Sequence, residues 1–369
     1  MPPTKLRMLI IEDLETVQGT WRREVDDFNA ETSINFDASY VGSMSEAVSA
    51  LTSGTFDCGI VDLRLPAGPC GTETEATQGN IVITEITSRA AIPIAVVSGY
   101  PAELSLDFQS IPIKKFAKDA ENYRAALDWL ATHQELMFNI RSAQEAIARE
   151  TARLFHGSLW PRWGASGALP SEPPASRRAS MLRQIASHLT EHLALPSSGT
   201  PRFSPTEFYF KPSIRERLHT GDLLKLELGL FIILTPQCNI ANEYPSHLIV
   251  APCIEKRDWA DILAQLKHQN LGKRESAEKK LRDFSNHATA LSTHFLPPCD
   301  QDGPWLVDFK NCQTIPCNIE LLKPKRFASL APQFLPNLTQ RFAAYMGRIG
   351  QPDIDIEELA RQLALLPKS

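Results

Sequence analysis

Along the first third of the chain, short apolar runs alternate with segments whose apolar residues recur every three or four positions. RMLII (Arg7–Ile11) is a compact apolar run and predicts a buried strand. LETVQGTWRREVDDF then places Val17, Trp21, Val25 and Phe28 on one helical face. The alternation continues. INFDASYVG reads as a strand, SMSEAVSALTSG as a helix capped by serine and stopped at Gly54, and FDCGIVDLRLP as a strand that Pro66 ends. Helix NIVITEITSRA, strand IPIAVVSGY, short strand IKKFAKD and helix AENYRAALDWLATH complete the set. Such alternation predicts an α/β, doubly wound, five-stranded parallel sheet with helices on both faces.

Helical spacing continues through QELMFNIRSAQEAIARETARLF to Phe155. Pro161, Pro170, Pro173 and Pro174 then stand among glycines and serines, which predicts a linker. One helix, SMLRQIASHLTEHLAL, interrupts it. From Phe208 the pattern turns strand-rich: EFYFKP, DLLKLELGLFIILTP, SHLIVAPCI, GPWLVDF and CNIELLK read as strands. A charged helical stretch lies near Asp258–Ala290, and LAPQFLPNLTQRFAAYMGRIG and DIEELARQLALL read as closing helices. The expected organisation is an α/β domain over 1–132, a helical connector and Pro/Ser-rich linker over 133–205, and an α+β domain over 206–369.

Composition narrows the function classes. The net charge of −5 over 369 residues gives no global attraction to nucleic acid or anionic membrane. No run of about 18 apolar residues suggests a membrane span, and the first residues lack the pattern of a secretory signal. Seven cysteines without a CxxC pair fit a reducing cytoplasm.

Ligand sites of open parallel sheets lie at the carboxyl ends of the strands. Here the first strand runs into Glu12 and Asp13, the third ends on Asp62, the fourth on Ser98, and the fifth leads to Lys118. Clustered carboxylates need a cation, and Mg²⁺ suits hard oxygen ligands. A hydroxyl and an ammonium opposite the metal would hold phosphoryl oxygens during transfer to a carboxylate.

These motifs in this order resemble the receiver domain of response regulators, over residues 6–132. The resemblance implies a flavodoxin-like fold, Mg²⁺ held by Glu12, Asp13 and Asp62, and a phosphoryl group taken by Asp62 from a histidine kinase or phosphotransfer protein. Ser98 and Lys118 would contact that group. Two departures stand out. AGPCGTETEATQGN (67–80) makes a long loop after Pro66, carrying Glu73 and Glu75 near the acceptor. Lys115 occupies the place where the family usually has an aromatic switch residue, which leaves Lys115 as an alternative to Lys118 and Tyr100 or Phe116 as the aromatic.

The resemblance also suggests that the last receiver helix continues into a signalling helix. Leu127, Leu130, Leu136, Ile140, Ala143, Ile147 and Leu154 fall near one stripe, an arrangement suited to a homodimer. The C-terminal part shows no DNA-binding motif, so nucleic acid is not the expected partner. HTGDLLKLELGLFIILTPQCNIA has the look of a small SH3-like barrel and is weakly similar to the opening of MazF/PemK-type RNA-cutting domains. His219, Asp222 and Cys238 are the candidate output site there, though a buried structural thiol is the better reading of Cys238. The expected protein is a cytoplasmic response regulator, a phosphoacceptor rather than an enzyme. Its rivals are a phosphate sink in a phosphorelay, as in some antiphage systems, and a receiver-gated nuclease.

Overall fold

A computed structural model describes residues 5–68, 74–105, 111–164, 174–194, 202–242, 244–255, 259–287, 290–349 and 352–365. The chain divides into two compact units, Met1–Gly199 and Thr200–Ser369.

The N-terminal unit is built on five strands: β1 (Lys5–Ile11), β2 (Asn35–Val41), β3 (Cys58–Val61), β4 (Ile94–Ser98) and β5 (Ile113–Ala117). All pair in parallel in the order β2-β1-β3-β4-β5. That order is the flavodoxin-like one. β1, β3 and β4 are almost wholly buried because both their faces are covered. Helix α1 (Glu15–Glu31) buries Trp21, Val25 and Phe28 against one face. On the other face α2 (Met44–Ser53) and α3 (Ala76–Arg89) cover Leu9, Ile11, Val61 and Val96. The side chain of Ser43 caps α2 by accepting from the Glu46 N–H. Between β4 and β5 the described residues contain one short 3-10 turn, Pro101–Glu103.

Helix α4 (Ala120–Ala131) buries Tyr123, Ala126, Leu127 and Leu130, then ends at Thr132. Helix α5 (Gln134–Leu154) starts after a turn at His133, so α4 does not run on as a single signalling helix. The apolar stripe is split accordingly: Leu127 and Leu130 are core, whereas Leu136 and Ile147 are exposed. Arg141 anchors α5 to the far end of the sheet through Asp57 (2.8 Å) and the Lys5 carbonyl (3.0 Å). Beyond Leu154 the chain keeps turning in wider, π-type helical turns over Phe155–Gly164, where a linker was expected. Helix α6 (Pro174–Ala194) begins six residues before the expected start, because Pro174 sits in the first turn, where a missing N–H costs nothing.

The C-terminal unit is a mixed structure around an antiparallel sheet. Its strands are β6 (Tyr209–Phe210), β7 (Asp222–Leu226), β8 (Gly229–Ile233), β9 (His247–Ile254), β10 (Thr293–Leu296), β11 (Trp305–Asp308), β12 (Gln313–Pro316) and β13 (Arg326–Leu330). Their order is β10-β11-β9-β8-β7-β13-β6, with β12 beside β9. This path is open among the described residues. The predicted strand CNIELLK is instead a short helix, α10 (Ile319–Leu322), because Asn318 caps it by accepting from the Leu321 N–H. A short helix, α7 (Gln237–Asn242), follows β8, and helices α8 (Trp259–Leu266) and α9 (Leu271–Ser285) pack Trp259, Ile262 and Phe284 on Leu306. Helix α11 (Leu335–Met346) closes the main core with Leu338. The chain ends in α12 (Ile356–Ala364).

Candidate functional site

Parallel pairing brings the carboxyl ends of β1, β3, β4 and β5 to one edge of the sheet. Strand order reverses at β1, with β2 on one side and β3 on the other, and the crevice opens there. Glu12 and Asp62 are held to neighbouring strands by their own amides: Glu12 N–H donates to Val41 (3.0 Å) and Asp62 N–H to Ile11 (3.0 Å). Both side chains are buried, and Asp13 is half-buried beside them.

Lys118 reaches across from the end of β5. Its Nζ lies 2.7 Å from Asp62 Oδ2 and 2.8 Å from Glu12 Oε2. Its backbone N–H donates to the Ser98 carbonyl at 3.1 Å, which continues the β4–β5 pairing and sets the lysine beside the serine. Lys115 is exposed on β5, so Lys118 and not Lys115 meets the carboxylates. Ser98 is buried, and its Oγ accepts from the Tyr100 N–H at 3.3 Å. Phe116 is packed in the core against Trp129, whereas Tyr100 is exposed at the mouth.

Two buried carboxylates share one ammonium. Burial pushes Glu12 up to about 7 despite the opposing pull of Lys118. For Lys118, burial acts to lower the pKa, but the bonds to Asp62 and Glu12 outweigh it and raise the value overall. Glu12, Asp13 and Asp62 each offer an oxygen within 4.8 Å of the others. Three hard carboxylate oxygens in such a set could hold Mg²⁺.

Further residues complete the site, and none carries a motif. Arg64 donates to Glu103 through Nε (3.1 Å) and Nη2 (2.5 Å), and its guanidinium stacks 3.7 Å from the Tyr100 ring centroid. Asn80 on α3 ties the same loop by donating to the Glu103 carbonyl and accepting from the Ser105 N–H. Gly79 brings α3 against the loop that follows Asp62: its N–H donates to the Leu63 carbonyl at 3.0 Å. A Cβ there would overlap the Leu63 backbone and the Asp62 carbonyl. The predicted loop 67–80 is shorter than expected. Leu65 and Pro66 pair antiparallel with Glu75 and Thr74, and α3 starts at Ala76. Glu73 lies outside the described residues, and the side chain of Glu75 does too.

The N-terminal unit is similar to response-regulator receiver domains. The chain matches no family model and no curated protein. Among solved structures, one match is the receiver domain of a sensor histidine kinase from Pseudomonas aeruginosa PAO1 with magnesium in the active-site cleft. It has 17% identity and a TM-score of 0.26, over 35% of this chain and 99% of that one. Another is a response regulator from Burkholderia pseudomallei with a phosphorylated aspartic acid, at 20% identity and TM-score 0.27, over 40% and 85%. A third is TrrA from Thermotoga maritima with Mg²⁺ and a beryllium fluoride, at 14% identity and TM-score 0.25, over 34% and 97%. No helix among the described residues is long and apolar enough to cross a membrane.

In the C-terminal unit the candidates His219 and Asp222 meet directly. Asp222 is fully buried; it accepts from the His219 N–H (2.8 Å), Ser329 Oγ (2.5 Å) and Arg326 Nη1 (3.3 Å). Burial raises its pKa against these donors. The His219 ring bonds the Thr220 carbonyl at 3.0 Å. Cys238 is exposed and points its Sγ at Asn239 (3.5 Å), so the buried-thiol reading does not hold at this position. Among the described residues, no hydrogen bond joins the thiol to His219 or Asp222.

Proposed function

We propose that the N-terminal unit is the receiver of a response regulator and that Asp62 is its phosphoacceptor. The observation that carries this reading is the single constellation of Asp62, Glu12 and Lys118 at 2.7–2.8 Å, with Ser98 on the adjoining strand end. Glu12, Asp13 and Asp62 would hold Mg²⁺, which supplies charge neutralisation at the phosphoryl oxygens. An Asp62 oxygen attacks phosphorus in line, the P–N bond of a donor phosphohistidine breaks, and an acyl phosphate forms. Lys118, released from part of its hold on Asp62, follows the new negative charge, and the Ser98 hydroxyl donates to a phosphoryl oxygen. The donor is a histidine kinase or a phosphotransfer protein. The added charge of about −1.5 to −2 biases the loops at this edge, and the C-terminal unit serves as the output of that change.

The test is phosphorylation of the full chain by a small acyl-phosphate donor with Mg²⁺, read by intact mass. One acid-labile phosphoryl group is expected, lost in Asp62→Asn and after chelation of Mg²⁺. Labelling that persists in Asp62→Asn would overturn the assignment.

A further inference from the structure

A cleft of about 800 Å³ opens on the C-terminal unit, far larger than a bare phosphate and within the size range of small-molecule sites. Lys211, Ser213, Lys323, Arg326 and Phe327 line it, against one carboxylate, Asp300. In a chain of net charge −5, this is a local reversal of sign.

Two of the three cations, Lys211 and Lys323, are paired only with exposed acids. Lys211 Nζ is 2.6 Å from Asp300 and 4.1 Å from the Phe327 ring centroid, but the Asp300 side chain is 66% exposed. Lys323 Nζ is 2.7 Å from Glu216, whose side chain is 91% exposed. Exposed pairs of this kind are worth little, so a dianion can displace the carboxylates. Arg326 is the rigid member: its guanidinium donates to the carbonyls of Arg215 (2.6 Å) and Arg217 (2.9 Å) as well as to Asp222.

Ser213 adds a second kind of contact. Ser329 Oγ lies 2.5 Å from Asp222 Oδ1 and 2.7 Å from Ser213 Oγ. A hydroxyl has one proton. With that of Ser329 on the Asp222 carboxylate, the Ser213 hydroxyl donates to Ser329, and its oxygen is left to accept from a ligand. The cleft thus pairs cations for an anionic group with an acceptor for a hydroxyl.

We propose that this cleft binds a phosphorylated sugar, with Lys211 and Lys323 on the phosphate and Ser213 accepting from a sugar hydroxyl. The site is independent of the Asp62 reading.

The test is calorimetric titration of the full chain, without Mg²⁺, with inorganic phosphate, ribose 5-phosphate and adenosine monophosphate. Saturable binding of ribose 5-phosphate is expected, about tenfold weaker in Lys211→Gln/Lys323→Gln. Both lysines are at the surface, so the double variant should keep the wild-type melting temperature. Ser213→Ala should weaken ribose 5-phosphate and leave inorganic phosphate unchanged. Tighter binding of adenosine monophosphate than of ribose 5-phosphate would identify a nucleotide as the source of the sugar phosphate. No saturable binding of either sugar phosphate, or binding undiminished in the double variant, would overturn the site. Inorganic phosphate binding as tightly as ribose 5-phosphate would overturn the sugar contact. An Asp62→Asn background should change none of these affinities.

Discussion

Arg64 and Glu103 are joined by two hydrogen bonds across the mouth of the acidic crevice, two residues beyond Asp62 on one side and five beyond Ser98 on the other. With Tyr100 stacked on the guanidinium, they clamp together the loops that follow β3 and β4. On the proposed reading of Asp62, removing this clamp should admit water to the acyl phosphate. Arg64→Ala should shorten the lifetime of phosphorylated Asp62 by about threefold to tenfold, a change of about 1 kcal/mol in the hydrolysis barrier. Decay of the phosphorylated mass with time measures it. An unchanged lifetime would show that the clamp does not guard the acceptor.

Gly79 sits where α3 crosses the Asp62–Leu63 peptide. Alanine in a helix interior normally gains about 1 kcal/mol over glycine. Here the added carbon meets backbone, which cannot swing aside as a flexible side chain can. The clash should win, so Gly79→Ala should lose about 1–3 kcal/mol in denaturant unfolding. It should also slow phosphorylation, because the strand end bearing Asp62 must move.

Asp57 and Asp62 flank β3 at its two ends, and Asp57 holds Arg141 of α5. Asp57 also accepts from the Arg7 N–H at 2.7 Å. Asp57→Ala leaves a mostly buried guanidinium without its carboxylate. The expected cost is about 3 kcal/mol. Hydrogen exchange should speed up in α5 more than in α1. Equal acceleration in both helices would argue against a local anchor.

The stacked pair His287 and His294, with ring centroids 4.3 Å apart, should make the C-terminal unit acid-labile. Burial, and then Arg341 nearby, lower His287 from 6.5 to about 4. Burial also holds His294 well below its usual value, and neither of its ring nitrogens has a hydrogen-bond partner. A folded-state pKa below the unfolded one means that the unfolded chain binds more protons. Stability is therefore full above about pH 6.5 and falls as the pH drops toward 4. His294→Phe should flatten that slope, measured by melting temperature against pH.

Much of the N-terminal unit was legible along the chain. Runs such as RMLII and IPIAVVSG could only be strands covered on both faces, and the residue following each run is at a carboxyl end whatever the packing. Glu12, Asp13, Asp62 and Ser98 could thus be named as neighbours before any coordinate was known. The C-terminal unit was less legible. β10, β12 and β13 are four- and five-residue strands, too short for a period to show. CNIELLK carries a strand-like apolar pattern, yet it is a helix because Asn318 caps it.

Sequence alone, then, determined the α/β class of the first unit and the order of its acidic and hydroxyl residues, because burial on two faces leaves an unmistakable run of apolar positions. It could not choose between Lys115 and Lys118, three residues apart on one strand end; the direction of β5 and its pairing with β4 decided that. Nor could it find Arg64, Glu103, Gly79 or the Ser213–Ser329–Asp222 chain. Those relationships join residues 16 to 116 positions apart, and their energies depend on distance in space, which local patterning does not record.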